Sequence, residues 1–88
     1  MSYCILLNRQ AKKELKRIDR ITEKRIYERL DELSIDPYSG RLSHPLVTIG
    51  GVRYSIVGNW RIVYKIDDSK EALVVLAIRL RDKVYNNL

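Results

Sequence analysis

With a single cysteine, Cys4, the chain has no disulfide and no cysteine-based metal site to staple it, and that thiol is expected to be a small buried hydrophobe inside a strand. A single histidine, His44, excludes a two-histidine nuclease; with no glycine-rich phosphate loop and no cluster of metal ligands, neither a metal nor another cofactor is implied. His44 stands in a loop before Pro45, where it could touch a substrate, although a plain surface histidine is the simpler reading. No apolar run approaches the roughly 20 residues of a membrane span, and Met1-Ser2-Tyr3 lacks the charged start and long apolar stretch of a signal peptide. A cytoplasmic protein without membrane contact is expected. Phenylalanine is absent, but six tyrosines replace it and no low-complexity run interrupts the chain, so the 88 residues read as one globular domain, 1–88, with a thin stability margin.

Acidic residues are missing from the middle of the chain. Seventeen Lys and Arg against eleven Asp and Glu give a net charge of +6. No carboxylate falls between Asp36 and Asp67, while Arg41, Arg53, Arg61 and Lys65 do. Their positive field has no local cancellation, which suits a polyanion such as RNA, DNA or a ribosome surface. Solvated cationic faces are the bland alternative.

Tyr3 to Leu7 is too short for a helix and reads as an opening strand, after which Asn8 is an N-cap. From Arg9 to about Asp19, Ala11, Leu15 and Ile18 form one apolar stripe, with Lys12, Lys13, Lys16 and Arg17 around the rest. A second helix, from about Ile21 to Ser34, buries Ile26, Leu30 and Leu33 and is stopped by Asp36-Pro37. Tyr38 to Gly51 is a loop that could include a short strand near Leu46 to Ile49. Asp67-Asp68-Ser69-Lys70 is a turn, and Ala72 to Ile78 a nearly continuous apolar run that fits a buried strand. The order predicts an α+β domain, with an N-terminal strand and a two-helix hairpin packed on one face of a mainly antiparallel sheet of about four strands. The other sheet face is left to solvent or to a partner.

The segment Val52 to Ile66 reads as a tight β-hairpin. Its arms are β-branched and aromatic, and Gly58-Asn59 supplies residues that tolerate positive φ in a primed two-residue turn. Alternation puts Trp60, Ile62, Tyr64 and Ile66 on the core face and Arg61, Val63 and Lys65 on the exposed one. An ideal turn puts Tyr54 and Ile56 beside Arg61, and Arg53 on the other side. A bulge or a three-residue connection would bring Arg53 beside Arg61 instead. In the tail, Arg79, Arg81, Lys83 and Tyr85 alternate and would share one side of an extended chain. Arginines can stabilise a pentavalent phosphate, and a tyrosine can move a proton or stack on a base. A frayed, solvated terminus is the other reading.

Val-Gly-Asn-Trp-Arg-Ile-Val-Tyr-Lys-Ile-Asp-Asp, a further strand and then Arg-Asp-Lys-Val-Tyr resemble the RelE/ParE superfamily of toxin–antitoxin toxins. Ala11-Lys12-Lys13-Glu14-Leu15-Lys16 is similar to that family's first helix, so the likeness spans nearly the whole chain. The resemblance implies a cognate protein antitoxin and, in the RelE branch, a ribosome-dependent endoribonuclease acting on mRNA. There a ribose 2′-oxygen attacks its own 3′-phosphate while the ribosome orients the message. By motif position it implies Arg61 as phosphate stabiliser, Arg81 as leaving-group stabiliser or acid and Tyr85 as base or stacking group. Arg53 stands as a fourth candidate, with Lys12, Lys13, Lys16, Arg41, Lys65, Arg79 and Lys83 for RNA or ribosome contact. Two departures are visible: no lysine stands in the strand before the turn, and Leu80 replaces a frequent histidine. They keep open a ParE-like toxin that binds DNA gyrase without being an enzyme, and an inactive relative that only binds antitoxin.

Overall fold

The computed structural model describes residues 2–81; the tail residues Lys83 and Tyr85 lie outside them. The chain runs β1 (Cys4–Leu7), α1 (Arg9–Lys16), α2 (Arg20–Ile35), β2 (His44–Pro45), β3 (Val52–Val57), β4 (Trp60–Asp67) and β5 (Ala72–Leu80). The strands form one sheet in the order β1-β5-β4-β3-β2, with β1 parallel to β5 and every other pair antiparallel. The α+β class is as expected, with one strand more than the four foreseen.

Side chains set the helix boundaries. Asn8 Oδ1 accepts from the Ala11 amide at 2.8 Å, and Asp19 Oδ2 from Thr22 at 2.9 Å, each satisfying an otherwise orphaned N–H of a first turn. α1 is shorter than expected, because the Arg17 and Ile18 amides fold back onto the Glu14 and Leu15 carbonyls at 3.1 and 3.3 Å and tighten its last turn. α2 ends at Ile35, and Pro37, with no N–H to donate, follows its Asp36 cap.

The main core lies between the helices and one face of the sheet. Ala11, Leu15 and Ile18, then Ile26, Leu30 and Leu33, pack on Val57, Ile62, Tyr64, Leu73, Val75 and Ile78. Both apolar stripes are those the periodicity marks. β1 is an edge strand whose alternation turns Ile5 and Leu7 inward and leaves Cys4 and Leu6 exposed, which corrects the expectation of a buried thiol. The short strand foreseen near Leu46 to Ile49 is found instead at His44–Pro45; the following residues form the turn that closes onto β3, where the Leu46 amide donates to the Val52 carbonyl at 2.8 Å.

The central hairpin is ideal in register. Val57 pairs with Trp60, Ile56 with Arg61, Tyr54 with Val63 and Arg53 with Tyr64, around the turn Gly58-Asn59, in which Gly58 has φ +61. The irregularity lies in the next pair. Between Val63 and Tyr64 the partners on β5 jump from Ala77 to Val75, so Leu76 bulges and the strand keeps its apolar face on the helices on both sides of the break.

Candidate functional site

On the sheet face away from the helices, one row of side chains crosses four strands. Arg61 on β4 is paired directly with Arg79 on β5 and with Ile56 on β3, and its guanidinium carbon lies 4.4 Å from the centroid of the diagonal Tyr54 ring. Tyr54 is in turn paired with His44 on β2, their ring centroids 5.4 Å apart. His44 thus belongs to a strand and faces the arginines, although the sequence places it in a loop. Lys65 is exposed on the same face, and the Arg81 amide donates to the Asn59 carbonyl at 2.9 Å, which ties the end of β5 to the hairpin turn.

Arg61 differs from expectation in one respect: only 2% of it is accessible. β4 is the middle strand of the sheet, so neighbours flank Arg61 on both sides and an aromatic ring lies under its charge. The face is lined rather than bare. Val52 and Val63 are buried there beside Leu46, Tyr54, Leu76 and Ala77.

Two arginines directly opposite each other in a sheet repel. Part of that repulsion is relieved by Glu14 on α1, whose Oε2 is 2.6 Å from Arg79 Nε. The N–H is not aligned on that oxygen, so this is a contact ion pair rather than a linear hydrogen bond. The other oxygen, Oε1, accepts the Ile78 amide at 2.7 Å, beyond the point where β1 stops covering β5. A cleft of about 200 Å³ opens there, lined by Glu14, Arg17, Trp60, Ile78, Arg79 and Leu80.

Arg53 does not join this row. With an ideal turn it faces the helix side, opposite Tyr64, where Nε donates to Ser43 Oγ at 2.6 Å and Nη2 to the Ser43 carbonyl at 3.3 Å. Ser43 Oγ also contacts the Tyr64 hydroxyl, which donates to the Pro37 carbonyl at 2.8 Å. Arg53 therefore fastens the loop after α2 to the hairpin. Burial pushes the Tyr64 hydroxyl above its ordinary value, opposed by its contact with Ser43 and by the Arg53 charge. Nearby, Asp68 accepts from Tyr3 at 2.6 Å and from Tyr38 at 2.7 Å. These bonds hold its carboxyl below the usual range, push Tyr3 up to about 12 and raise Tyr38.

The remaining cations spread out. Lys12, Lys13 and Lys16 are exposed on α1 in the helix layer, and Arg41 in a turn after α2. Of the residues singled out in the sequence, the row unites Arg61 with Arg79 and His44, and Lys65 shares its face. Tyr54 lies beside Arg61 as the ideal turn predicts, whereas Glu14, reaching the row from α1, is the contributor that the sequence hid. Glu14 reads as an ordinary helix-surface charge. Among the described residues no group of His, Cys, Asp or Glu could hold a metal ion, and no helix is long and apolar enough to cross a membrane.

The fold matches solved toxins at low identity. A free-state variant of the Escherichia coli toxin RelE superposes with TM-score 0.82 at 19% identity, covering 98% of this chain and 93% of that one. RelBE2, a toxin–antitoxin complex from Mycobacterium tuberculosis, gives 0.79 at 24%, covering 92% and 100%. A YoeB/ParE toxin from Agrobacterium tumefaciens gives 0.76 at 19%, covering 89% and 98%. No curated protein sequence matches significantly. The family model described as "ParE toxin of type II toxin-antitoxin system, parDE" matches residues 5–85, nearly the entire chain. The chain belongs to this family of toxins of type II toxin–antitoxin systems.

Proposed function

We propose that this toxin is a ribosome-dependent endoribonuclease that cuts mRNA. The observation that carries the reading is the row His44, Tyr54, Arg61 and Arg79, which joins paired cationic groups to two rings able to stack on bases or move protons. In the reaction the ribose 2′-hydroxyl loses its proton as its oxygen bonds to the adjacent phosphorus. The P–O5′ bond breaks, and the departing oxygen takes up a proton. Charge builds on the phosphoryl oxygens, where Arg61 and Arg79 would act, with Arg81 nearer the hairpin turn and Tyr85 beyond the described residues as a further proton-transfer or stacking group. The ribosome supplies the alignment of the message that 88 residues do not enclose. The partner that restrains the toxin is a protein antitoxin, as in the M. tuberculosis complex, and an acidic one would suit a charge of +6. The working compartment is the cytoplasm, where ribosomes and their messages are found.

One observation favours a second reading. Tyr54 and Ile56 flank Arg61 on β3 while Arg53 turns away, so that strand adds no cation to the row. A face of this kind would suit a toxin that binds DNA gyrase without chemistry. Primer extension on ribosome-bound message separates the two. Cleavage within codons, absent without ribosomes and reduced roughly 100-fold or more by Arg61→Ala, is expected from the loss of one donor to the developing charge. Intact message together with inhibited gyrase supercoiling would replace the nuclease reading with the second.

A further inference from the structure

Glu14 is a helix residue whose two oxygens are both committed to the site strand: Oε1 to the Ile78 amide at 2.7 Å and Oε2 against Arg79 Nε at 2.6 Å. Its side chain is 16% exposed, deep for a carboxylate on a helix whose neighbours Lys12, Lys13 and Lys16 are all exposed. Arg79 meets Glu14 through Nε as an ion pair, and its two terminal nitrogens make no hydrogen bond among the described residues.

We propose that Glu14 is the positioning residue for Arg79, fixing it through Nε so that its terminal nitrogens meet an RNA phosphate bound beside Arg61. The inference rests on the RNA-directed reading of this face and names a residue outside it. An arginine free to rotate spends rotamer entropy on every phosphate it meets, whereas one drawn against a carboxylate at Nε has fewer rotamers left to lose. The same carboxylate screens the Arg79 charge and tempers its repulsion with Arg61. Glu14 thus gives up unspecific attraction for anions in exchange for geometry.

Glu14→Gln isolates this role. The amide oxygen still accepts from Ile78, so the strand edge stays closed, while the charge facing Arg79 is lost. Two quantities are read for wild type, Glu14→Gln, Arg79→Ala and the double variant. One is single-turnover cleavage of ribosome-bound message at saturating toxin; the other is the salt dependence of binding to a short single-stranded RNA without ribosomes. Glu14→Gln is expected to lower the maximal rate about tenfold. It should also steepen the slope of log affinity against log salt by about 0.7, the contribution of one phosphate neutralised on a single strand, since Glu14 no longer offsets the Arg79 charge. In the Arg79→Ala background neither change should appear, because the two residues act as a unit. An unchanged salt slope in Glu14→Gln, or an effect of equal size in the absence of Arg79, overturns the proposal. If wild type itself leaves message intact, the nuclease reading falls separately, and the RNA-binding arm alone decides the role of Glu14.

Discussion

Replacing Arg53 by alanine should damage the fold and spare the chemistry. The substitution removes two hydrogen bonds from a charged donor to Ser43, at 2.6 and 3.3 Å, and the guanidinium lying 5.5 Å from the Tyr38 ring centroid. Ser43 Oγ keeps its contact with the Tyr64 hydroxyl, so the acceptor left without a partner is the Ser43 carbonyl. Bonds from charged donors contribute about 1.5–3 kcal/mol, and a half-exposed cation–π contact about 0.5–1 kcal/mol. These terms share one side chain, so a loss of about 2–3 kcal/mol is expected. A domain of this size carries on the order of 4–13 kcal/mol in all, so the variant should still fold. Its melting temperature should fall by about 10–20 °C. Urea unfolding measures the loss through a lower midpoint at unchanged slope. Cleavage per folded molecule, measured well below the melting point, should stay within about twofold of wild type. A variant as stable as wild type that has lost about 100-fold or more in cleavage would refute the argument and return Arg53 to the reacting groups.

Alkaline pH should destabilise the protein through its tyrosines. Their folded pKa values lie above the unfolded value of 10.0, Tyr3 at about 12 and Tyr64 and Tyr38 also raised. Their stabilisation is therefore complete below pH 10 and is lost as pH rises through the folded values, because the unfolded chain releases those protons first. Unfolding free energy measured between pH 10 and 12 should fall, and less steeply in Tyr3→Phe; identical slopes would dismiss the Asp68 bond as the cause. Gly58→Ala places a side chain at φ +61, where its Cβ would be 3.6 Å from Arg25 Nη1, an ordinary contact. The expected loss of about 1 kcal/mol is backbone strain, and a urea midpoint matching wild type would contradict it.

The sequence was most legible where two independent local signals agreed. Gly58-Asn59 and the alternation on either side of it establish a hairpin, and with it the face of Arg61. The facing of Arg53 stayed open because a one-residue slip inverts a strand, and no residue in the segment announces or excludes a slip. A bulge does exist, but at Leu76, inside an apolar run from Ala72 to Ile78 with no alternation to break. Cys4 faces outward against expectation because a short apolar run does not say whether its strand lies at the sheet edge; that depends on the parallel pairing of β1 with β5, a contact between the two ends of the chain. Arg61 was expected in the open, since burial depends on strand order and on an aromatic partner from another strand. The registers of β4 with β5 and of β2 with β3, set by tertiary pairing, brought Arg79 and His44 into the row.

The ends of the sheet are sealed in complementary fashion. Where β1 stops short, a carboxylate from α1 occupies the Ile78 N–H; where β2 stops short, Arg29 from α2 occupies the Ile56 carbonyl at 2.7 Å and Ser55 Oγ at 2.9 Å. Each helix thus carries one plug of opposite polarity for the backbone groups that a foreign strand would need first. A foreign strand approaching these stretches meets a filled socket on either flank, which disfavours extension of the sheet edge to edge.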